Sequence, residues 1–478
     1  MKKKTLSPGQ ALDLRQALTI LGIAAVYFVI TLLPTAEGLP PDGQKAIALM
    51  VCVVLTWATQ VVPLIVSSIL FMFVAVALGL KSVEGAAIPV IKDFASPTIF
   101  FMFVSILLAY AMDRCGLNQR LALKLTVLSK GSPKAMVFFF TAATGLVSTI
   151  ISNVPSCAAF LPIVLAVCKK NGCVRGKSNF AKASVIGIIF GAMVGGNATP
   201  AGTPINIMAL DLLQAATGKT LTFAQWSLMG IPLVLIILPV IWLILITVFP
   251  PEFDKLAGLE ESKEELAGLG KFNGQEKKFM AMTAVMLALW FTEGYLHDLS
   301  TTTVLTIFAT VLFFPGIRLL DYDFVRDKLD WTVIIMTGAS IAFGATMLQT
   351  GASSWLANIC LSPFAHASPL VLVLVLAVFT TVIHFLIPSC PALVSVLVPT
   401  IVAFAADNNI PVMMLFLPVA FNVSTFWLLP FDPLPMMCYP EKYFSVKDFA
   451  KAGAPAHAAL ILVTVGVTLL IGKPLGYF

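Results

Sequence analysis

Stretch after stretch of this chain runs for about twenty residues with almost no charge, the length an α-helix needs to cross a hydrocarbon core. Residues 226–249, for example, contain no Asp, Glu, Lys or Arg. Of the 478 residues only 11% are charged and 59% are hydrophobic, against about 25% charged in a soluble domain. Too few charges remain to build a water-facing surface, so the chain is a polytopic membrane protein. Lipid offers no partner to backbone N–H and C=O groups, which makes the helix the unit of construction for runs of this length. The net charge of +6 then speaks of topology, not of nucleic acid, because basic residues collect in cytoplasmic loops. Lys169, Lys170, Arg175, Lys177 and Lys182 mark one such loop, and Lys2, Lys3, Lys4 and Arg15 put the N-terminus on the same side. No small-residue cleavage site accompanies the first apolar span, so no signal peptide is expected. Eight cysteines are scattered without a C-x-x-C pair, a pattern expected of small apolar thiols and not of metal ligands or a disulfide framework.

Spans are predicted near 17–35, 44–62, 64–80, 97–113, 184–210, 226–249, 278–296, 300–315, 332–350, 369–387, 411–430 and 453–472. Two further apolar stretches, about 134–168 and about 386–405, fit poorly as single crossings. The first is too long and is interrupted at Ser152–Pro155; the second is too short. Both are predicted as re-entrant helical hairpins or broken helices. Helices near 184–210 and 411–436 carry glycine and proline breaks. A polar segment, 251–277, is predicted as a cytoplasmic amphipathic linker dividing a first repeat, 1–250, from a second, 278–478. The expected fold is all-α, with two inverted repeats, about 11 transmembrane helices and two hairpins, an organisation typical of secondary transporters.

The duplication shows in matching motifs. Ser152-Asn153-Val154-Pro155 is followed by Leu161-Pro162, and Ser389-Cys390-Pro391 by Val398-Pro399. Ser148, Ser152 and Asn153 lie within a few residues of one another in apolar sequence, and 195–206 reads Gly-Gly-Asn-Ala-Thr-Pro-Ala-Gly-Thr-Pro-Ile-Asn. Breaks of that kind free backbone groups, which are tolerable at membrane depth only against a cavity, an ion or other protein. Helix N-termini and hydroxyls suit an anion there, and carbonyls at helix C-termini a cation. The alternative is that the small residues merely let helices pack closely. In the second half Asp432 stands between prolines in an apolar context. An acid inside the membrane costs about 2.5–3.5 kcal/mol on insertion scales, so it is expected to be paired, protonated or functional, unless it lies hydrated at a span end. His384 is expected as a packed neutral histidine, with a proton-linked role as the alternative. Glu293, His297, Trp290 and Tyr295 fit an interfacial belt.

With these residues on the page, the chain resembles the divalent anion:sodium symporter family, carriers of succinate, malate, citrate and related carboxylates. The resemblance rests on Arg114-Cys115-Gly116-Leu117 to Arg120, Ser152-Asn153-Val154, Gly202-Thr203-Pro204-Ile205-Asn206, Trp290 with Glu293 and His297, and Thr350-Gly351 to Trp355-Leu356-Ala357. It implies a homodimer with scaffold and transport domains that moves like an elevator. It also implies a sodium site from Ser148, Asn153 and backbone near Gly202, and a substrate surface from Ser152, Asn153, Val154, Thr203 and Pro204. Val154 stands where the family has threonine. In the second half the substrate surface would use Ser389, Cys390, Pro391, Asp432 and Pro433. There Cys390 and Pro391 replace Asn-Thr, and Phe385 takes the place of a sodium-ligating hydroxyl, so the second sodium site is expected to be absent or rebuilt. Asp432 aligns with a threonine beside the substrate, where it would carry a coupling proton or cation, or meet a positively charged group.

The expected function is secondary transport of small organic anions, chiefly di- or tricarboxylates, across the cytoplasmic membrane by cation symport or anion exchange. A monocarboxylate, sulfonate or zwitterion placed against Asp432 is the alternative ligand. An anion channel is less favoured, because no ring of charges or filter loop is present. Four dispersed histidines without H-E-x-x-H exclude the familiar hydrolase patterns, and no phosphate-binding loop occurs. No nucleic acid partner, and no cofactor beyond a sodium ion, is expected.

Overall fold

A computed structural model describes residues 14–59, 61–80, 89–329, 331–387, 390–430 and 432–477. Ser389, one of the predicted substrate residues, lies outside them. The described residues form helices and connecting turns, with no named strand among them. Among the described residues, seven helices are long and apolar enough to cross a membrane, and an eighth span results if Ile334–Gln349 and Ala352–Phe364, bent by 76°, are taken together. Five more apolar helices accompany them, including Leu14–Leu32 and Pro369–Leu386, of 19 and 18 residues.

Two helices, Pro133–Ile151 and Asn153–Lys170, meet at Ser152 and pack on each other. Ser152 adopts φ 79° and ψ 156°, a region costing a non-glycine residue of order 1–3 kcal/mol. Helix Asn179–Gly195 follows, then two 3-10 turns, Gly196–Ala198 and Pro200–Gly202, then helix Pro204–Thr217. The prolines at 200 and 204 explain the interruption, since neither supplies the N–H that would continue the ladder. Gly187, Gly191 and Gly195 line one face of their helix at four-residue spacing. A Cβ at Gly191 would sit 2.2 Å from the Thr141 carbonyl oxygen, and one at Gly195 2.1 Å from that of Gly145. These glycines let helix 179–195 press against helix 133–151, as small residues do inside membranes.

The second half repeats this order of elements. Helices Pro369–Leu386 and Cys390–Asp407 are followed by Val412–Val423, a break, and the short helix Pro433–Cys438. The prediction of a hairpin within about 386–405 is corrected here. Residues 390–407 make one continuous helix of 18 residues, which touches the preceding helix 369–386. Pro391 sits in the first turn, where a missing N–H costs nothing, and Pro399 lies inside the helix without ending it. At about 1.5 Å per residue, 18 residues reach roughly 27 Å, so the segment needed no internal turn.

The halves are interleaved. Helix 390–407 of the second packs on helix 204–217 of the first, and helix 433–438 packs on helix 153–170. The polar segment carries helix Leu259–Gly268, which has no buried residue. Its far end is tied down by Arg120, whose Nε donates to Glu276 Oε1 at 2.6 Å and whose guanidinium also reaches the carbonyls of Leu269, Gly270 and Lys271. Trp290, expected in an interfacial belt, is instead fully buried and stacked on Phe223, while Tyr295 is exposed.

Candidate functional site

The breaks place polar groups where a continuous helix would hide them. In the first half, four side-chain or backbone groups converge beside Ser152. Ser148, one turn before the end of its helix, donates its hydroxyl to the Ala192 carbonyl at 2.8 Å. Asn153, the first residue of the next helix, points a terminal amide atom at the same spot. That atom lies 2.8 Å from Ser148 Oγ, 3.0 Å from the Ala192 carbonyl oxygen and 3.1 Å from that of Gly202. Two arrangements satisfy such a cluster. With the amide nitrogen turned inward, Asn153 donates to both carbonyls. With the amide oxygen inward, four hard oxygens face one another and need a cation between them, the donor set that hard cations prefer.

The sequence builds this cluster by close approach. A Cβ at Gly202 would lie 2.3 Å from the Gly196 carbonyl oxygen, and one at Gly196 2.1 Å from the Asn153 amide. Asn206 locks the two turns by donating Nδ2 to the carbonyls of Gly196 and Thr199, at 2.8 and 2.9 Å. Thr203 caps the following helix, accepting from the Ile205 N–H at 3.4 Å. Asn197 crosses to the other half: its Nδ2 donates to the Phe421 carbonyl, and its Oδ1 accepts from the Ser424 hydroxyl, both at 2.8 Å.

The second half answers with different chemistry. Cys390 Sγ donates to Asp432 Oδ1 at 3.2 Å. His384 Nε2 lies 3.9 Å from both Cys390 Sγ and Asp432 Oδ1. His384 and Asp432 are buried, and the remaining atoms Asp432 Oδ2 and His384 Nδ1 have no hydrogen-bond partner among the described residues. Asp432 is the N-cap of helix 433–438 yet makes no capping bond. Pro433 and Pro435 lack two of the first three N–H groups it could have capped, and its carboxyl turns to Cys390 instead. Phe426 stacks on the His384 ring at 4.4 Å, and Phe385 packs edge-on against Phe426 at 5.0 Å. Phe385 contributes no oxygen here, as its side chain requires.

Of the residues singled out in the sequence, Ser148, Asn153 and Gly202 come together, as do Cys390 and Asp432. Ser152, Thr203 and Pro204 are buried beside the first cluster, whereas Val154 is 40% exposed. Pro391 is half-buried in the first turn after Cys390, and Pro433 opens the short helix. Sequence reasoning missed the Ala192 carbonyl and the cross-link through Asn197. It also missed Asp211, an acid inside an apolar helix that accepts from the Thr98 hydroxyl at 2.6 Å. A lone acid between Leu210 and Leu212 was the available signal. His384, expected to pack as a neutral ring, does pack on Phe426, but it also faces an acid and a thiol.

Helices broken at polar clusters inside an otherwise apolar bundle define a membrane transporter as the class of this protein. A family profile described as the sodium:sulfate symporter transmembrane region matches residues 14–478. The chain belongs to that family, the divalent anion:sodium symporters, and is an integral membrane transporter, not an enzyme. It is 27% identical to the sodium-dependent dicarboxylate transporter SdcS of Staphylococcus saprophyticus, over 99% of this chain and 93% of that one. The Staphylococcus aureus protein of the same name is 26% identical over 97% and 92%. A "membrane protein" of Cupriavidus necator is 25% identical over 90% and 87%. Among solved structures, the YdaH transporter of Alcanivorax borkumensis aligns with TM-score 0.52 at 15% identity, covering 80% of this chain and 87% of that one. MtrF of Neisseria gonorrhoeae aligns with TM-score 0.51 at 13% identity over 93% and 96%. Those two likenesses concern the fold.

Proposed function

We propose that the protein is a sodium-coupled carrier of small organic anions, chiefly di- or tricarboxylates, in the cytoplasmic membrane. The observation that carries this reading is the polar cluster of Ser148, Asn153, Ala192 and Gly202, at the point where a helix tip meets a helix break; in this reading the Asn153 amide turns its oxygen inward when the ion binds. Ser148, the Asn153 amide oxygen and the two carbonyls are the sodium ligands. The substrate binds between Ser152, Asn153, Val154, Thr203 and Pro204 on one side and Ser389, Cys390, Pro391, Asp432 and Pro433 on the other. Helices 153–170 and 204–217 begin at this place, and their N-termini favour carboxylate charge.

The same order of elements in both halves supports two inverted repeats, and the interleaving of each hairpin arm with the opposite broken helix supports a transport domain that moves as one body. In the reading offered here that body slides elevator-fashion against a scaffold within a homodimer. Asp432 favours one variant of the scheme. A bare carboxylate beside a dianion is repelled, so the acid carries a coupling cation or proton, or else meets the amine of a zwitterionic substrate.

The deciding experiment is uptake of labelled succinate into proteoliposomes with sodium, proton and counter-anion gradients imposed one at a time. A sodium gradient alone should drive uptake. Accumulation that ignores sodium and follows only internal anion would replace symport with exchange. Competition by monocarboxylates, sulfonates and zwitterions against succinate settles the ligand class.

A further inference from the structure

His384, Cys390 and Asp432 come from three separate elements: the end of helix 369–386, the start of helix 390–407, and the cap of helix 433–438. One ligand atom of each lies within 4.8 Å of the other two. We propose that these three side chains form a site for a zinc-class divalent ion, taking the place of a hard-oxygen sodium site in this half.

The geometry fits such an ion. Tetrahedral zinc with bonds of about 2.0 Å to nitrogen and oxygen and about 2.3 Å to sulfur separates its ligands by about 3.3 Å (N to O) and 3.6 Å (S to N or O). The observed edges are 3.2, 3.9 and 3.9 Å, each within about 0.6 Å of those values. Side-chain rotation closes that gap without moving a helix. The donor set argues in the same direction. Thiolate and imidazole select borderline or soft cations, and sodium gains little from either. Charge balances too, since neutral imidazole, thiolate and carboxylate sum to the charge that a divalent ion cancels in a low-dielectric site. Binding releases the thiol proton now directed at Asp432 Oδ1, and the unpartnered Oδ2 becomes a second donor to the ion or to a water on it. Three side chains leave the fourth position of a tetrahedral ion to Asp432 Oδ2 or a water. Phe426, stacked on His384, holds the imidazole plane in place. An ion bound here ties the end of helix 369–386 and the start of helix 390–407 to the cap of helix 433–438.

The site stands on its own geometry and does not depend on the transport reading, so the test measures binding. Purified wild-type protein in detergent is titrated with cobalt(II) after chelator treatment, and then with zinc. One cobalt per chain should bind with a thiolate charge-transfer absorption that zinc abolishes, and zinc should raise the melting temperature. Cys390→Ser should lose the absorption, and His384→Gln and Asp432→Asn should each weaken binding by ~10-fold or more. Cys390→His should restore stoichiometric zinc binding and the melting shift without the thiolate band, which separates ligand loss from misfolding. Ser148→Ala, in the oxygen cluster of the other half, should titrate like wild type. Substoichiometric binding by wild-type protein, or a thiolate band that survives Cys390→Ser, overturns the proposal.

Discussion

Replacing Gly202 by alanine asks the sharpest question of the first-half cluster. The added Cβ would lie 2.3 Å from the Gly196 carbonyl oxygen, 2.7 Å from its Cα and 2.8 Å from its carbonyl carbon. Ordinary contact begins near 3.4 Å, so the two 3-10 turns must separate by roughly 1 Å. The neighbour is backbone and cannot swing aside as a side-chain end would. Asn206 also holds the Gly196 carbonyl at 2.8 Å, so the strain is shared with the Gly202 carbonyl, one of the groups of the cluster. Overpacking of this kind costs about 1–3 kcal/mol. Where that strain falls on the ion-bound geometry, it converts to about a 5- to 150-fold weaker sodium activation. The assay is initial uptake against sodium concentration in proteoliposomes, with Gly268→Ala as control. Gly268 lies in the exposed polar segment, and a Cβ there meets nothing within 4 Å. Sodium half-activation of Gly202→Ala within twofold of the control, at equal reconstitution, would refute the placement of the ion among these oxygens.

Four further outcomes follow from the same physical reasoning. Asp432→Asn should change the pH or cation dependence of uptake, measured as rate profiles in proteoliposomes; identical profiles would remove Asp432 from coupling. Arg120→Ala leaves Glu276 buried without its partner and should cost about 3–5 kcal/mol, read as a lowered melting temperature that a second change, Glu276→Gln, partly recovers. The Arg120 guanidinium holds the Glu276 carboxyl below the usual carboxylate range. The stability it contributes is thus complete above the unfolded value and fades as pH falls through the depressed one, so acid melts should show the wild type losing more than the double variant. Cys157 Sγ and Cys438 Sγ lie 3.6 Å apart, joining a first-half hairpin arm to the second-half broken helix. If both move as one body, oxidative cross-linking of this pair, verified by mass spectrometry, should leave most uptake intact; abolished uptake in cross-linked protein would contradict that motion.

What the sequence disclosed and what it concealed differ by the distance over which each feature is written. Ser148 and Asn153 are five residues apart, and Gly202 sits in a run whose glycines and prolines announce a break, so the polar breaks were legible from local composition, while grouping these three residues came from the family resemblance. The hairpin at Ser152 was legible for the same reason, because serine, asparagine and proline interrupt an apolar run too long for one helix. The turn expected within 386–405 was misplaced because Pro391 and Pro399 read as breaks, whereas one falls in the first turn of helix 390–407 and the other is accommodated inside it. The trio escaped because its meeting is a tertiary fact. Cys390 and Asp432 are 42 residues apart, and their meeting depends on two prolines removing the amides that a capping aspartate would otherwise occupy. A cysteine in an apolar helix is ordinarily a small hydrophobe; it becomes a ligand only when the fold aims an acid and an imidazole at it. The two halves therefore use one backbone device, a helix start facing a helix break, with opposite donor chemistry. Hard oxygens gather where glycine lets carbonyls approach, and soft donors gather where side chains must reach across. On the two sites proposed above, the few residues at the tips, and not the helices, would choose the ions.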